Sequence, residues 1–160
     1  MAFGMDHSRF WRVAAAGLLL STLLALAPFL LKGGEQPTVD ELKARVANAG
    51  IADRPLLCIH ISERQLSVAD RFYVAGDSEN AQAALADVVA YSEQARDYAI
   101  QSHKHEKQSE IAIRKMVRKL ADIKHAVSHD DQEQVQSTVD RLQRIRDELL
   151  AAMFPKVGKQ

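Results

Sequence analysis

Apolar positions along this chain come in two rhythms. From Val13 to Leu31 they are nearly continuous, with Gly17, Ser21, Thr22 and Pro28 as the only interruptions and no charge at all. Beyond Pro37 they recur at helical spacing. The first stretch is long enough to cross a bilayer: its nineteen residues in helix reach about 28 Å at 1.5 Å per residue, close to the roughly 30 Å of the hydrocarbon core. Arg9 and Arg12 precede it, and Trp11 stands where an interfacial aromatic is expected. Residues 1–31 are therefore read as a signal peptide or a transmembrane signal anchor. Ala25-Leu26-Ala27 offers a small-x-small cleavage site, but Pro28 directly follows it. Both outcomes stay open. Basic residues on the two flanks do not choose an orientation, whereas a short charged lead running straight into an apolar run has the form of an export signal. An extracytoplasmic location, in the periplasm or cell envelope, is the expectation.

Residues 32–37 (Lys-Gly-Gly-Glu-Gln-Pro) read as a linker. Thr38 and Glu41 then have the spacing of a capping box, in which each side chain satisfies an orphan backbone N–H of the other's turn. A short helix follows from Val39 to Ala49, with Leu42, Val46 and Ala49 on one face and Gly50 as its stop. Pro55 opens a second helix as a first-turn residue. Leu57, Ile61, Val68 and Phe72 mark its apolar face, and Gly76 ends it. Residues 56–61 are rich enough in β-branched side chains to make a strand, yet no partner strand is in sight.

Between Asp77 and Phe154 there is not one Gly or Pro, where average usage of about 12% for the pair would place roughly nine. Such a stretch, rich in Ala, Glu, Gln, Lys, Arg and Leu, has little choice but helix. One seam runs through it at alternating spacings of three and four: Leu85, Val88, Ser92, Ala95, Ala99, Ser102, Glu106, Ser109, Ile113, Met116, Leu120, Ile123 and Val127. Its middle is small or polar, and from Gln101 to Glu110 no large apolar residue occurs, which marks the place for a kink. Ser128 to Asp131 interrupt the pattern with capping residues, and Glu133 or Gln134 is in position to complete a second capping box. A last helix carries Val135, Leu142, Ile145, Leu149 and Ala152, and Pro155 closes it.

The fold expected from these patterns is all-α. One long central helix, roughly 73 Å if unbroken from Glu79 to Val127, has shorter helices folded back on each half. The product is an elongated double helical hairpin with coiled-coil-like packing, preceded by an N-terminal hydrophobic helix. A break near His103 gives a compact four-helix bundle instead. The helical domain spans 38–155 and a short tail 156–160. Large apolar side chains are few in the distal hairpin, so its stability is thin and homo-oligomerisation is expected.

Composition removes more functions than it adds. Basic and acidic residues balance at 21 each, so no overall field recruits nucleic acid. Aromatics at 6% leave little for base stacking. Charge is nonetheless segregated: acids dominate from Ser62 to Ile100 and bases from Gln101 to His125, a pattern that allows two copies to pair acidic half on basic half. Arg114, Lys115, Arg118 and Lys119 make a basic stripe for a partner or an anionic surface. The one cysteine, Cys58, excludes an intrachain disulfide and reads as a buried structural residue between Leu57 and Ile59.

No motif carries a reaction. A Gly-rich phosphate loop, Gly-x-Ser-x-Gly, His-Glu-x-x-His and Cys-x-x-Cys are all missing from the sequence, and no cofactor or small-molecule substrate is implied. Asp122-x-x-His125 stands alone, where di-iron bundles need paired Glu-x-x-His. His103 and His105 point about 200° apart on a continuous helix and could share an ion only if the helix breaks. His125 and His129, at i and i+4 with Asp122, Asp130 and Asp131 nearby, are the metal-ligand candidates. Size and leader are similar to those of exported α-hairpin stress chaperones, but the repeated Leu-Thr-x-x-Gln element of that group is missing, and no family is assigned. The functional expectation is a non-enzymatic extracytoplasmic scaffold or adaptor working through protein contacts, with a small metal-binding or envelope-stress protein as the alternative.

Overall fold

The computed structural model describes residues 37–155. The apolar run of 1–31, most of the linker and the tail of 156–160 lie outside the described residues. Five helices and no strand occur among the described residues: α1 (Val39–Asn48), α2 (Arg54–Val74), α3 (Ser78–Ser102), α4 (Glu106–Ala126) and α5 (His129–Met153). Residues 56–61 are helical despite their β-branched content. None of the described helices is long and apolar enough to cross a membrane.

Local chemistry sets the helix ends. At α1 the Thr38 hydroxyl accepts from the Glu41 N–H (3.2 Å), while Glu41 Oε2 accepts from the Thr38 N–H (2.8 Å), completing the capping box. Pro55 lies in the first turn of α2 and is buried, where its missing N–H costs nothing. The end of α2 closes through Gly76, whose φ is +76°. Its N–H donates to the Tyr73 carbonyl (3.0 Å) and the Asp77 N–H to the Phe72 carbonyl (2.9 Å), the paired bonds of a Schellman turn, which favours glycine at this left-handed position.

The single long helix does not form. α3 stops at Ser102 and α4 starts at Glu106, within the stretch that lacks large apolar residues. His103 (φ +54°) and His105 (φ +62°) both take left-handed backbone. A rod would bury its large side chains at its two ends and leave its small, polar middle facing nothing. Folding at 103–105 lets each half pack on more than one neighbour. α2 packs on α3 and on α4, α5 packs on α4 and on α3, α3 and α4 touch, and α1 lies on α2. Ser78 pairs with Asp131 near the helix starts and Arg96 with Glu148 further along, so α3 and α5 run parallel.

The seam is the core. Of its thirteen positions, Ser102, Glu106 and Val127 are half-buried and all the others are buried. Leu85, Val88, Ala95, Ala99, Ile113 and Leu120 are fully enclosed. Val135, Leu142, Ile145 and Leu149 of α5 meet them as expected, joined by Thr138 and Val139. The apolar face of α2 is rotated from expectation. Ile61 is buried, but Leu57, Val68 and Phe72 are half-buried, and the inward positions belong to Cys58, Ile59, Ser62, Leu66 and Ala69. Several of these are small, so ranking by hydrophobic size misses them. Their hydroxyls are satisfied internally: Ser92 donates to Ser62 Oγ (3.2 Å), and the Ser62 hydroxyl has the Cys58 and Val88 carbonyls within 3.2 and 3.3 Å.

Leu85→Ala or Leu142→Ala is expected to cost roughly 2–5 kcal/mol in urea unfolding, because each leaves a void in an enclosed site. Ile51, which is 40% exposed, should tolerate alanine with a change of about 0.5 kcal/mol or less. Equal effects at the three positions would contradict this assignment of the core.

Candidate functional site

The basic stripe occupies the outward side of α4. Arg114, Lys115, Arg118 and Lys119 are all exposed, and Lys107, about two turns nearer the helix start, joins them. They face outward because the opposite side of α4 carries Ser109, Ile113, Met116, Leu120 and Ile123 into the core. Two of the five are engaged within the chain. Lys119 Nζ lies 2.7 Å from Asp70 of α2, and Arg114 Nε lies 3.8 Å from Glu110. Lys107, Lys115 and Arg118 have no partner among the described residues. The Asp70–Lys119 pair joins the acidic segment to the basic one inside a single chain, so part of the segregated charge is matched without a second copy. Its partners are partly exposed, and such pairs contribute little to stability.

Beneath the stripe, Glu110 is buried and accepts from Arg146 Nε of α5 at 3.0 Å. Further cross-helix pairs run from α3 to α5: Arg96 Nη1 to Glu148 at 2.6 Å, and Arg141 to Glu93. These fasten the register of α5 against its neighbours. An open groove of about 720 Å³ lies along α5, lined by Lys124 of α4 and by His129, Gln136, Asp140 and Arg144 among others. Lys124 Nζ of α4 donates to Gln136 Oε1 of α5 (2.7 Å), and Gln136 Nε2 donates along α5 to Asp140 (2.7 Å).

A second polar centre sits where α5 begins. Asp131 is buried, and one carboxylate oxygen accepts from the Ser128 hydroxyl (2.6 Å) and from the Ser78 hydroxyl of α3 (2.8 Å). These bonds, together with one from Gln82, hold its carboxyl below the usual value of 3.8, against the opposing effect of burial. Ser128 is the N-cap of α5 and accepts from the Asp131 N–H. The third-residue partner is thus Asp131, not Glu133 or Gln134, since the helix starts at His129. Burial raises the pKa of the nearby Tyr73, and the charge of Asp131 adds to the effect. The Tyr73 hydroxyl and that of Ser109 are buried without a hydrogen-bond partner among the described residues.

The metal-ligand candidates lose the geometry that motivated them. α4 ends at Ala126, and Val127 is extended (φ −89°, ψ 167°), so His125 and His129 belong to different helices and their i, i+4 spacing places them on no common face. Both are exposed. At His103 and His105 the helix does break, but His103 is solvent-facing, with Glu106 Oε1 3.7 Å away. No group of three His, Cys, Asp or Glu side chains able to hold a metal ion occurs among the described residues. Cys58 is fully buried, and burial pushes its thiol up to about 11, with Arg54 opposing. That setting is the reverse of the electropositive, accessible one a nucleophilic thiolate needs.

Comparison with protein-family models, curated proteins and solved structures finds no match.

Two outcomes follow. Asp131 has a folded pKa below its unfolded one, so its contribution is present above the unfolded value and lost as pH falls through the folded value. In urea unfolding, the stability gap between the protein and its Asp131→Asn variant should be widest near neutrality and close below about pH 4; a gap independent of pH contradicts the carboxylate's role. For Cys58, modification by an aromatic disulfide at pH 8 should run at least about a hundredfold slower in the native protein than in urea, and comparable rates would contradict its burial.

Proposed function

We propose that the protein is a non-enzymatic scaffold or adaptor of the cell envelope, exported or held at a membrane by its N-terminal apolar segment and acting through protein contacts. The observation that carries this reading is the outward face of α4. Lys107, Lys115 and Arg118 stand exposed and, among the described residues, unmatched on a helix whose inner side is locked into the core by Ile113, Met116 and Leu120. A rigid row of unpaired cations gives register and encounter rate to an acidic protein surface, and a pre-formed helix orders little on binding. Neutral overall charge at 21 against 21 confines the attraction to that face, as expected for a specific contact and not for general adhesion to polyanions.

The location rests on sequence: an uncharged run of membrane-spanning length behind two arginines. The metal-binding alternative has less support, because the spacing that paired His125 with His129 is interrupted by the α4–α5 turn.

A photo-crosslinking residue placed at Arg118 in cells should yield a discrete adduct in the envelope fraction. The same residue at Gln94, exposed on α3, should not. The Arg118 adduct should fall at least about fivefold when Lys107 and Lys115 are both changed to Glu, in keeping with the steep dependence of charged encounter on sign. Indifference to charge reversal, or equal adducts at both positions, would count against the reading.

A further inference from the structure

The link between α3 and α4 is made of residues that favour a different conformation. His103 and His105 are both left-handed, at φ +54° and +62°, a region where a side chain with a Cβ is strained and glycine is not. From Asp77 to Phe154 the chain has no glycine or proline to ease such a turn. His105 caps the start of α4 without any side-chain hydrogen bond, and His103 has only Glu106 Oε1 at 3.7 Å, so side chains hold the turn weakly. The seam also keeps its register through the break. Ala99, Ser102, Glu106, Ser109 and Ile113 follow at spacings of three, four, three and four. That continuity is of no use to two helices joined by a turn. It places every seam residue on one face of an unbroken helix.

We propose that this link is the hinge of a domain exchange between two copies of the chain. Straightening 103–105 fuses α3 and α4 into one helix of roughly 73 Å. The α4–α5 hairpin of each copy then packs on the α2–α3 hairpin of the other. Every contact between the hairpins is regained: Lys119 with Asp70, Arg96 with Glu148, Arg141 with Glu93 and Ser78 with Asp131. The closed monomer and the exchanged dimer therefore share one interface and differ in two things. The monomer keeps two left-handed histidines; the dimer loses the freedom of independent chains. Short strained hinges are where such exchange occurs. This deepens the scaffold reading by naming a second copy as one partner, and its geometry rests only on the described helices.

The test uses the full chain in mild detergent, with Arg96→Cys and Glu148→Cys introduced and joined by a short bis-maleimide, which adds to both thiols without an oxidant; Cys58, being buried, stays out of the reaction. The two positions touch in both forms, but within one chain when closed and between two chains when exchanged. After refolding at increasing protein concentration, denaturing gels should show a growing covalent dimer. An ordinary side-by-side dimer gives only intrachain links. Glycine at both His103 and His105 removes the strain and should lower the dimer fraction at least about tenfold, and alanine at both should raise it. The glycine variant keeps the decision open to measurement even if the alanine variant folds poorly. Intrachain links alone at every concentration, or a glycine variant that exchanges as readily as the parent, overturn the hinge. Either result leaves the charged face of α4 untouched, since the Arg118 adduct reads that separately.

Discussion

Burial of the seam governs this structure, and the backbone yields to it at one place. Along α3 and α4 the seam alternates between large residues at its ends and Ser92, Ala95, Ala99 and Ser109 in between. Large residues bury well against a single neighbour, whereas small ones do so only if two helices approach closely. Within a single chain, an unbroken rod would satisfy the ends and waste the middle. Turning at 103–105 brings the small residues into an interior shared by α2, α3, α4 and α5. Dispersion and the hydrophobic effect grow with each enclosed side chain, and two left-handed histidines are a small opposing term.

The polar groups that remain inside are arranged around that packing. Ser62 and Ser92 link α2 to α3 by hydroxyls, with backbone carbonyls as acceptors. Glu110 is enclosed but meets Arg146, and an unpaired charge in its place would be costly. Asp131 gathers the first turns of α3 and α5 on one carboxylate. These three contacts join different pairs of elements, so the ordering of helices around the core is specified by polar chemistry as well as by shape. On the outside, α4 is left with more positive charge than its neighbours match.

Much of this was legible in the order of residues. The capping box at Thr38, the turn at Gly76, the seam and the inward face of α5 follow from periodicity and end chemistry alone, because those signals are local. Three features were not. The face of α2 was misplaced since Cys58, Ser62 and Ala69 are inward by tertiary contact and not by hydrophobic strength. The hinge was visible only as a stretch without large apolar residues; helix propensity within it argues for continuity, and packing overrides it. At the candidate site, the basic stripe was readable from its spacing, but the capture of Lys119 by Asp70 required knowing which helices adjoin. Asp131 was readable as a capping residue, yet its tie to Ser78 spans the whole of α3 and α4 and leaves no local trace. The N-terminal apolar run lies outside the described residues, and its meaning rests on its length and its missing charges.

The parallel pairing of α3 with α5 has a consequence for how the chain comes together. Contacts inside each hairpin join residues close in sequence, while Ser78 with Asp131 and Arg96 with Glu148 are 53 and 52 positions apart. Low contact order favours early formation, so the α2–α3 hairpin can assemble while α4 and α5 are still being synthesised. Until α4 and α5 emerge, the hairpin lacks two of the neighbours that complete the cover of α3. A nascent chain in that state offers its own ribosome-borne neighbours a sticky half-core, and the speed of translation through α4 and α5 sets how long that exposure lasts.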